Sequence, residues 1–379
     1  MLDTKNDRFV QDCFIPIIKS GLEISPPISP TYIDYDRLIA IGSEQSVLPI
    51  IWNGLRKLEI KDEGSKQIDE LIYRDIYKFG SRNYELKCIS AILKDASIPY
   101  IPLKGSVLRD LYPAAWMRTS CDIDVLVPEE LINKAVQKLE AKTDFVFHKR
   151  NYHDVSMMND RVHLELHFSL KEAMNNIDSL LERVWEYVII KENGEYVFTP
   201  EFQIFHVIAH MSYHFVHGGL GIRTYLDLWL LRNKTEYDEN IVRQMCDQCN
   251  ILKFYEACCA LTGAWLEGKE YTEVTRNLER YCFEGGVFGN LKNAEISRQR
   301  NEQGFNYIVG RLFLRYDVLK EIYPTLQRYP FLLPYYQIRR WPTVFFGKRE
   351  SVKEELRAMK RTNVEEIESF DRLMRSVGL

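Results

Sequence analysis

The chain has 379 residues, of which 46% are hydrophobic and 27% charged, and its formal net charge is −4 at pH 7. This length allows two or three domains, each with its own core, and the composition is that of an ordinary soluble globular protein. The slight acidic excess does not favour long nucleic acid, which requires a clear basic excess, although contact with a short or terminal piece of RNA stays open.

Cysteine usage and hydropathy bear on the compartment. The eight cysteines show no spacing typical of a disulfide framework, which favours a reducing compartment. The apolar stretch at 9–18 is interrupted by Gln11, Asp12 and Pro16, and no segment resembling a cleavage site follows it. No uninterrupted apolar run approaches the ~18 residues that a membrane helix requires. We therefore expect a cytoplasmic protein without a transmembrane segment.

Hydrophobic periodicity changes near residue 98. The patterns before this point predict helices, including a long amphipathic helix at 65–94. After it, short apolar or alternating runs predict strands at 98–103, 121–127, 145–149, 154–158 and 162–170. Short helices are predicted at 107–111 and at 128–141, the second opened by Pro128 and two acids.

A hairpin signal and a helix cap mark the end of this mixed region. Asn193-Gly194 separates strand-like runs at 188–191 and 195–198, and Thr199-Pro200 follows as the cap and first turn of a helix. Helices are predicted in the rest of the chain at 201–216, 222–232, 239–250, 252–267, 271–283, 305–313, 316–322 and 352–374. The whole pattern predicts an α+β fold with three parts, which are an N-terminal helical segment (1–74), a mixed core (75–199) and a C-terminal all-helical domain (200–379).

Two acids share one face of the predicted strand at 121–127. Side chains two residues apart in a strand project from the same side, so Asp122 and Asp124 point the same way. Their like charges repel each other and lose hydration, and a divalent cation with hard oxygen ligands offsets both effects. An ordinary strand end whose acids face solvent is the alternative, and the acid pair by itself does not exclude it.

A third acid lies on the alternating strand at 162–170. The apolar side chains of this strand share one face, and the other face carries His163, Glu165 and His167. One carboxylate therefore lies between two imidazoles. We expect the two histidines to orient neighbouring groups or to pack, rather than to bind a metal themselves.

Gly105-Ser106 opens the short helix that precedes the acid pair. A tight Gly-Ser turn at a helix start offers backbone N–H groups and a hydroxyl to phosphate oxygens. Together with carboxylates that hold one or two Mg²⁺ ions, such a turn supplies what transfer from a triphosphate to a hydroxyl requires. A simple loop-to-helix turn is the alternative.

In combination these motifs resemble the nucleotidyltransferase superfamily of the polymerase-beta type, and more specifically its uncharacterised nucleotidyltransferase family. Members of that family share a Lys-Gly pair, a Tyr-Pro pair, an Arg before the acid pair and a later acid in an E-L-H strand. The matching positions in this chain are Lys104, Gly105, Tyr112, Pro113, Arg118, Asp122, Asp124, Glu165 and His167. The family's helix with spaced histidines and its R-x-x-x-D segment match His210, His214, Arg223 and Asp227.

The resemblance implies a polymerase-beta-like nucleotidyltransferase core within the mixed region. It assigns the metal ligands, and with them the catalytic set, to Asp122, Asp124 and Glu165. Glu165 is also the implied candidate for a general base that acts on the acceptor hydroxyl. The implied cofactor is Mg²⁺ or Mn²⁺, and the implied substrate is an NTP.

The resemblance also assigns phosphate contacts. Gly105 and Ser106 are expected to hold the β- and γ-phosphates, and Lys104 and Arg118 are available to neutralise phosphate. Three further residues are expected to face the cleft between the sheet and the helical domain, where they contact nucleotide phosphate or the acceptor: His210, His214 and Arg223.

A histidine stripe on the predicted helix at 201–216 supports a competing hypothesis. Its members recur at steps of four, four and three residues, at His206, His210, His214 and His217. Such spacing is able to bind zinc, with Asp227 as a further ligand, but the H-E-x-x-H signature is absent. A packing seam is the usual role of such a stripe.

Two further patterns carry weaker signals. Cys246-x-x-Cys249 with Cys258-Cys259 also suggests zinc, yet cysteines on helices mostly behave as small core hydrophobes. The tail at 339–361 is rich in Arg and Lys with interleaved aromatic residues. We expect a solvated amphipathic helix there, and contact with RNA or an anionic surface is the alternative.

The sequence thus predicts Mg²⁺-dependent transfer of a nucleoside monophosphate from an NTP to a hydroxyl or phosphate acceptor, with release of pyrophosphate. A small molecule is the favoured acceptor, and a protein side chain or an RNA end stays open. A catalytically inactive nucleotide- or partner-binding module on the same fold is the first alternative, but such a module has no chemical need for a third carboxylate. A zinc hydrolase that uses the histidine stripe is the second.

Overall fold

A computed structural model gives the fold. It describes residues 9–24, 30, 33–58, 63–172, 174–192, 194–285, 316, 319–320, 323, 325–346 and 364–379. The helix predicted at 305–313, most of the one at 316–322 and the first part of the one at 352–374 lie outside the described residues. So does most of the basic and aromatic tail at 339–361.

Five strands form a mixed sheet within the predicted core. In chain order they are β1 (Ile101–Pro102), β2 (Asp122–Leu126), β3 (Val146–Arg150), β4 (Asp154–Met158) and β5 (His163–His167). Their spatial order is β1-β2-β5-β4-β3. β2 pairs in parallel with β5, and the other neighbours pair antiparallel. A separate hairpin joins β6 (Val188–Ile190) to β7 (Tyr196–Phe198), as predicted.

Helices make up the rest of the described chain. Before the last strand of the five-stranded sheet they are α1 (Ile15–Gly21), α2 (Tyr35–Glu44), α3 (Leu48–Lys57), α4 (Glu63–Asp95), α5 (Gly105–Leu108) and α6 (Ile132–Lys142). After it they are α7 (Asn175–Leu181), α8 (Pro200–His217), α9 (Ile222–Lys234), α10 (Glu239–Gln248), α11 (Leu252–Leu266), α12 (Glu273–Gly285), α13 (Thr325–Arg328), α14 (Leu333–Phe346) and α15 (Val364–Val377). The fold is therefore α+β, with helices on both sides of the sheet region in the chain, as the sequence predicts.

The five-stranded sheet has an apolar face because strand residues alternate between its two sides. Ile123 and Val125 of β2 are buried, and so are Leu164 and Leu166 of β5. All four belong to one hydrophobic cluster with side chains of α4 and α6. Packing on this side fixes the orientation of both strands, which turns their polar residues to the other side.

A larger cluster joins the N-terminal and C-terminal helices. It includes Ile17 of α1 and Trp265 of α11. Gln45, which is fully buried, adds a polar link between the same regions. Its Nε2 donates to the Cys282 carbonyl at 3.0 Å, and its Oε1 accepts from the Ile222 backbone N–H at 2.8 Å. The helices at both ends of the described chain therefore share a core.

The domain limits stay a prediction. The limit at 74/75 falls within α4, a continuous helix of 33 residues. The limit at 199/200 falls at the start of α8, where the Thr199 hydroxyl oxygen accepts from the Phe202 backbone N–H at 3.3 Å and Pro200 occupies the first turn. The predicted cap of this helix is thereby confirmed.

The first strand is shorter than predicted. The sequence pattern indicates a strand at 98–103, but pairing is limited to Ile101–Pro102. The Ile98 backbone N–H instead donates to the Leu93 carbonyl at the end of α4, and Pro102 has no N–H with which to extend the ladder. Among the described helices, none combines the length and apolar character needed to cross a bilayer.

Candidate active site

The parallel pairing of β2 with β5 sets the register of the polar face. Asp124 lies opposite Glu165, and Asp122 lies opposite His163. His167 lies two residues beyond Glu165 on the same strand. Because paired residues of neighbouring strands project on the same side of a sheet, these five side chains share the face that points away from the apolar cluster.

Two overlapping groups of ligand atoms result. Asp122, His163 and Glu165 form one, and Asp124, Glu165 and His167 form the other. Within each group the ligand atoms lie within 4.8 Å of one another, and Glu165 belongs to both. Carboxylate oxygens predominate, and these are the donors that Mg²⁺ and Mn²⁺ prefer. The three acids predicted as metal ligands therefore do not share one group. Glu165 approaches Asp122 in one group and Asp124 in the other, and the donor chemistry of each group fits a divalent cation.

Asp124 is held in its ionised form. It is 4% exposed, and its Oδ1 accepts from Lys104 Nζ at 3.1 Å and from His167 Nε2 at 2.9 Å. Burial opposes ionisation, but the Lys104 charge and the His167 hydrogen bond outweigh it and hold the pKa of Asp124 far below its ordinary value. Burial lowers the pKa of His167, but the hydrogen bonds to Asp124 and Glu165 outweigh burial. The pKa of His167 is therefore raised above its ordinary value.

Asp122 shows the opposite shift. Burial is the main cause that raises the pKa of Asp122, and the neighbouring charge of Asp124 raises it further, although Lys104 acts in the other direction. Ionisation of Asp122 therefore destabilises the fold, whereas ionisation of Asp124 does not. A cation between the carboxylates removes this repulsion, so the pair is suited to a positive ligand.

The loop after β1 brings Lys104 and Gly105 next to the acids. Lys104 has a φ of +45°, which is rare for a residue other than glycine. Gly105 lies so close to Arg118 that a Cβ atom would stand 2.4 Å from its Nη1, so glycine is required by this approach. Ser106 differs, because its backbone N–H already donates to the Leu103 carbonyl at 3.0 Å and it does not line the cavity described below.

Arg118 connects this loop to α9 through Asp227. Its Nε and Nη2 donate to the two carboxylate oxygens at 3.2 and 2.8 Å, and the Tyr112 hydroxyl donates to Oδ1 at 2.7 Å. All three side chains are buried. Burial lowers the pKa of Arg118, and the Asp227 charge more than reverses this effect. Both oxygens of Asp227 are thus used to fix the wall of the site.

A cavity of about 240 Å³ opens beside these groups. Asp122 and Asp124 line its strand side, together with Lys104, Gly105 and Arg118 of the preceding loop. Helices α8 and α9 line the opposite side, which contains Gln203, His206, His210, His214, Arg223 and Asp227. Eight of the ten residues that the sequence assigned to the site line this cavity, and Glu165 and Ser106 do not.

Three histidines of α8 face the cavity in neutral form. Burial is the main cause that lowers the pKa of His206 and of His214 to about 3, and the pKa of His210 also falls well below its ordinary value. His210 Nδ1 lies 2.6 Å from Glu172 Oε1, and His214 Nε2 lies 3.0 Å from His210 Nε2. Since an ionised carboxylate only accepts, Nδ1 of His210 carries a hydrogen, and His214 then donates to the other ring nitrogen.

Two residues of the site are missed by sequence reasoning. Glu172, in the loop after β5, orients His210 but has no local motif that marks it. Gln203, in the first turn of α8, is 9% exposed and lines the cavity. Its position three residues before His206, on the same face of the helix, is the one signal that the sequence offers.

The zinc hypotheses find no support in the described side chains. Groups of three ligand atoms within 4.8 Å occur there on β2 and β5, whereas His210 and His214 of α8 bond to each other and His210 bonds to Glu172. Cys246, Cys249 and Cys258 lie in the hydrophobic cluster of the helices, and burial raises the pKa of each thiol. These cysteines behave as the core residues that the helical pattern predicts.

The mixed sheet, its acid-bearing parallel strands and the Lys-Gly turn define the class of protein, and the fold is consistent with that of a nucleotidyltransferase. The sequence model of the uncharacterised nucleotidyltransferase family matches residues 31–267. Because this match covers more than half of the chain, the protein belongs to that family, and nucleotidyl transfer is supported as its general reaction class. A comparison with curated proteins gives no match.

Proposed function

We propose that the protein transfers a nucleoside monophosphate from an NTP to a hydroxyl or phosphate group of a small acceptor and releases pyrophosphate, with Mg²⁺ or Mn²⁺ as its cofactor. The observation that carries this proposal is that Asp122, Asp124 and Glu165 lie on one face of two paired strands, where Glu165 belongs to a ligand group with each of the two aspartates. A divalent cation held by these carboxylates neutralises the triphosphate and lowers the pKa of the attacking hydroxyl.

Asp122, Asp124 and Glu165 have different roles in this proposal. Asp124, ionised at all ordinary pH values, supplies a permanent negative ligand. Asp122 gains more from a bound cation than Asp124 does, because its charge is less well compensated. The side chain of Glu165 is 26% exposed and reaches solvent. It accepts the proton of the acceptor hydroxyl while that oxygen attacks the α-phosphorus and the bond to pyrophosphate breaks.

The loop ahead of β2 is proposed to hold the triphosphate. Lys104 and Gly105 line the cavity beside the acids and are proposed to contact the β- and γ-phosphates. Arg118 adds positive potential from its fixed position on Asp227. Nucleotide phosphate or the acceptor is proposed to occupy the helical side, next to His210, His214 and Arg223.

The test is turnover with a defined product. Purified protein is incubated with Mg²⁺, each of the four labelled NTPs and pools of small hydroxyl or phosphate compounds, and mass spectrometry searches for an acceptor that has gained a nucleoside monophosphate. We expect one such product with stoichiometric pyrophosphate, and a loss of at least about 10²-fold in Glu165→Gln. The matched control Glu130→Gln removes an exposed acid at a helix start and should keep the activity.

Two outcomes would contradict the proposal. Unchanged turnover in Glu165→Gln would remove the carboxylate from the chemistry. Binding of Mg²⁺ and NTP by the wild-type protein without any transfer product would instead identify the inactive nucleotide-binding module.

A further inference from the structure

The helical side of the cavity carries two buried hydrogen-bond donors without a partner. Gln203 Nε2 on α8 and Arg223 Nε on α9 both have no hydrogen-bond partner among the described residues, and both residues line the same cavity. Gln203 is 9% exposed. A buried donor left unsatisfied costs free energy, so two of them at one place indicate a ligand with acceptor atoms.

The charges of the cavity narrow the kind of ligand. Of the three cations that line it, Lys104 is paired with Asp124 and Arg118 with Asp227. Arg223 forms no ion pair within the part of the chain that the structure describes. Its Nη1 donates only to the uncharged Thr119 carbonyl at 3.0 Å.

Arg223 therefore sits in an environment that disfavours its charge. Burial is the main cause that lowers the pKa of Arg223 to about 10, and the nearby Arg118 lowers it further. The Asp227 carboxylate acts in the opposite direction, but both its oxygens already accept hydrogen bonds from Arg118 and Tyr112. An anion that accepts a hydrogen bond from Arg223 Nε would compensate the charge of the guanidinium.

The two sides of the cavity thus suit ligands of opposite charge. The strand side has uncompensated carboxylate, which suits a cation together with the triphosphate that the cation binds. The helical side has an uncompensated guanidinium, an unpartnered amide N–H and the neutral His206 beside them. A neutral imidazole adds a polar group without adding charge.

We propose that Gln203 and Arg223 bind an oxyanion group, phosphate or carboxylate, on the acceptor. This inference rests on the nucleotidyl transfer proposed above and specifies its acceptor class. The acceptor is a small hydroxyl compound with a negative charge at a point away from the reacting oxygen. Cationic acceptors such as amino sugars are excluded by Arg223, since no described carboxylate on the helical side is free to pair with them.

The test uses four probes with the same three-carbon backbone. Glycerol 3-phosphate and glycerate carry the two oxyanions, glycerol is neutral, and serinol (2-amino-1,3-propanediol) is cationic. Each is titrated by ligand-observed NMR into protein saturated with Mg²⁺ and the non-hydrolysable α,β-methylene nucleoside triphosphate that binds best, so that the triphosphate site is occupied. We expect one or both anions to bind, and we expect no binding of glycerol or serinol.

Variants locate the subsite. Arg223→Gln and Gln203→Met each remove one unpartnered donor, and we expect each to weaken anion binding by about tenfold or more. Nucleotide affinity should change by less than about twofold, because, of the two occupants proposed for the helical side, this inference assigns the acceptor and not the nucleotide phosphate to both donors. Arg243→Gln and Gln248→Met, on the outer part of α10, are the matched controls and should leave both affinities unchanged.

Three results would overturn the inference. These are no anion binding in the nucleotide-loaded wild type, anion binding that is indifferent to both substitutions, and a loss of nucleotide affinity in Arg223→Gln as large as the loss for the anion. If the wild type binds no nucleotide, the proposed function fails, and the same titration without nucleotide then decides the anion subsite separately.

Discussion

Asp124 and Glu165 lie directly opposite each other on neighbouring parallel strands. Antiparallel pairs in the same sheet come from adjacent chain segments, but this pair joins residues separated by the whole of β3 and β4. The sheet therefore brings together two acids that repel each other unless a cation or protonated groups lie between them. Lys104 and His167 supply part of this compensation.

The two acids of β2 should differ in their effect on stability. Asp124→Asn removes the negative charge that pairs with Lys104 and His167, and we expect the free energy of unfolding to fall by about 1–3 kcal/mol. Asp122→Asn removes a charge that burial and Asp124 both disfavour, so we expect the midpoint of thermal unfolding to stay the same or rise. Differential scanning calorimetry without added metal measures both.

A divalent cation with nucleotide should stabilise the wild type but neither variant. Stabilisation by added Mg²⁺ and nucleotide is expected in the wild type and should be lost in both variants, because binding to the native state alone raises its stability. If Asp122→Asn were destabilised as strongly as Asp124→Asn, the claim that the fold favours ionised Asp124 and disfavours ionised Asp122 would be wrong.

Gly105 should be intolerant of a single methyl group. Gly105→Ala forces a Cβ atom toward Arg118 Nη1, whose guanidinium is held by hydrogen bonds from Nε and Nη2 to Asp227. We expect a loss of about 1–3 kcal/mol in stability together with a loss of nucleotide binding. Gly80→Ala is the matched control. Its Cβ meets nothing within 4 Å on the exposed face of α4, and we expect a gain of about 0.5–1 kcal/mol. Urea unfolding compares the two, and a stable Gly105→Ala protein would contradict the account of this loop.

The buried ion pair between Arg118 and Asp227 should contribute far more to the free energy of unfolding than the ion pairs at the surface. Because Arg118→Ala leaves a buried carboxylate without its main partner, we expect a loss of about 3–5 kcal/mol. Arg183→Ala breaks a solvent-exposed pair with Glu186 and should have no measurable effect. Chemical unfolding of both variants gives the comparison. A small loss in Arg118→Ala would show that the network does not hold the loop to α9.

Acid should destabilise the protein partly through His206. Its folded-state pKa is about 3, below the value of about 6.5 in an unfolded chain, so the unfolded state takes up the proton first. Stability from this group is complete above pH 6.5 and is lost progressively as the pH falls toward 3. His206→Phe keeps an aromatic ring beside Phe198 and Phe202 but removes the proton site.

The slope of unfolding free energy against pH provides the measurement for His206. Between pH 6 and 4 it should be smaller in His206→Phe than in the wild type by up to about 1.4 kcal/mol per pH unit. Comparison of slopes removes any constant loss of stability caused by the larger ring. Equal slopes would mean that His206 is not buried in its neutral form.

Local sequence patterns predict the strands and most helices well, because alternation and caps act over a few residues. Asp122 and Asp124 share a face for the same local reason. The parallel pairing of β2 with β5 is not a local property, since it depends on how β3 and β4 fold back between them. The resemblance to a known family, rather than periodicity, is what linked Glu165 to the acid pair before the fold was known.

Other parts of the site have no local signal. Arg118 and Asp227 were singled out separately, but their pairing depends on the docking of α9 against the loop. Glu172 and Gln203 lie in segments with no motif, and their importance comes from the groups that the fold sets against them. Sequence alone therefore predicts the acidic side of the cavity better than its helical side.

Binding of Mn²⁺ in the presence of a non-hydrolysable NTP analogue, measured by electron paramagnetic resonance, tests the central claim most directly. The account predicts that the wild-type protein binds Mn²⁺, that the analogue increases the affinity, and that Asp122→Asn, Asp124→Asn and Glu165→Gln each reduce it by at least about tenfold, while Glu130→Gln does not. Binding that is unchanged in all three variants, or no binding by the wild type, would contradict the assignment of these carboxylates as a metal site.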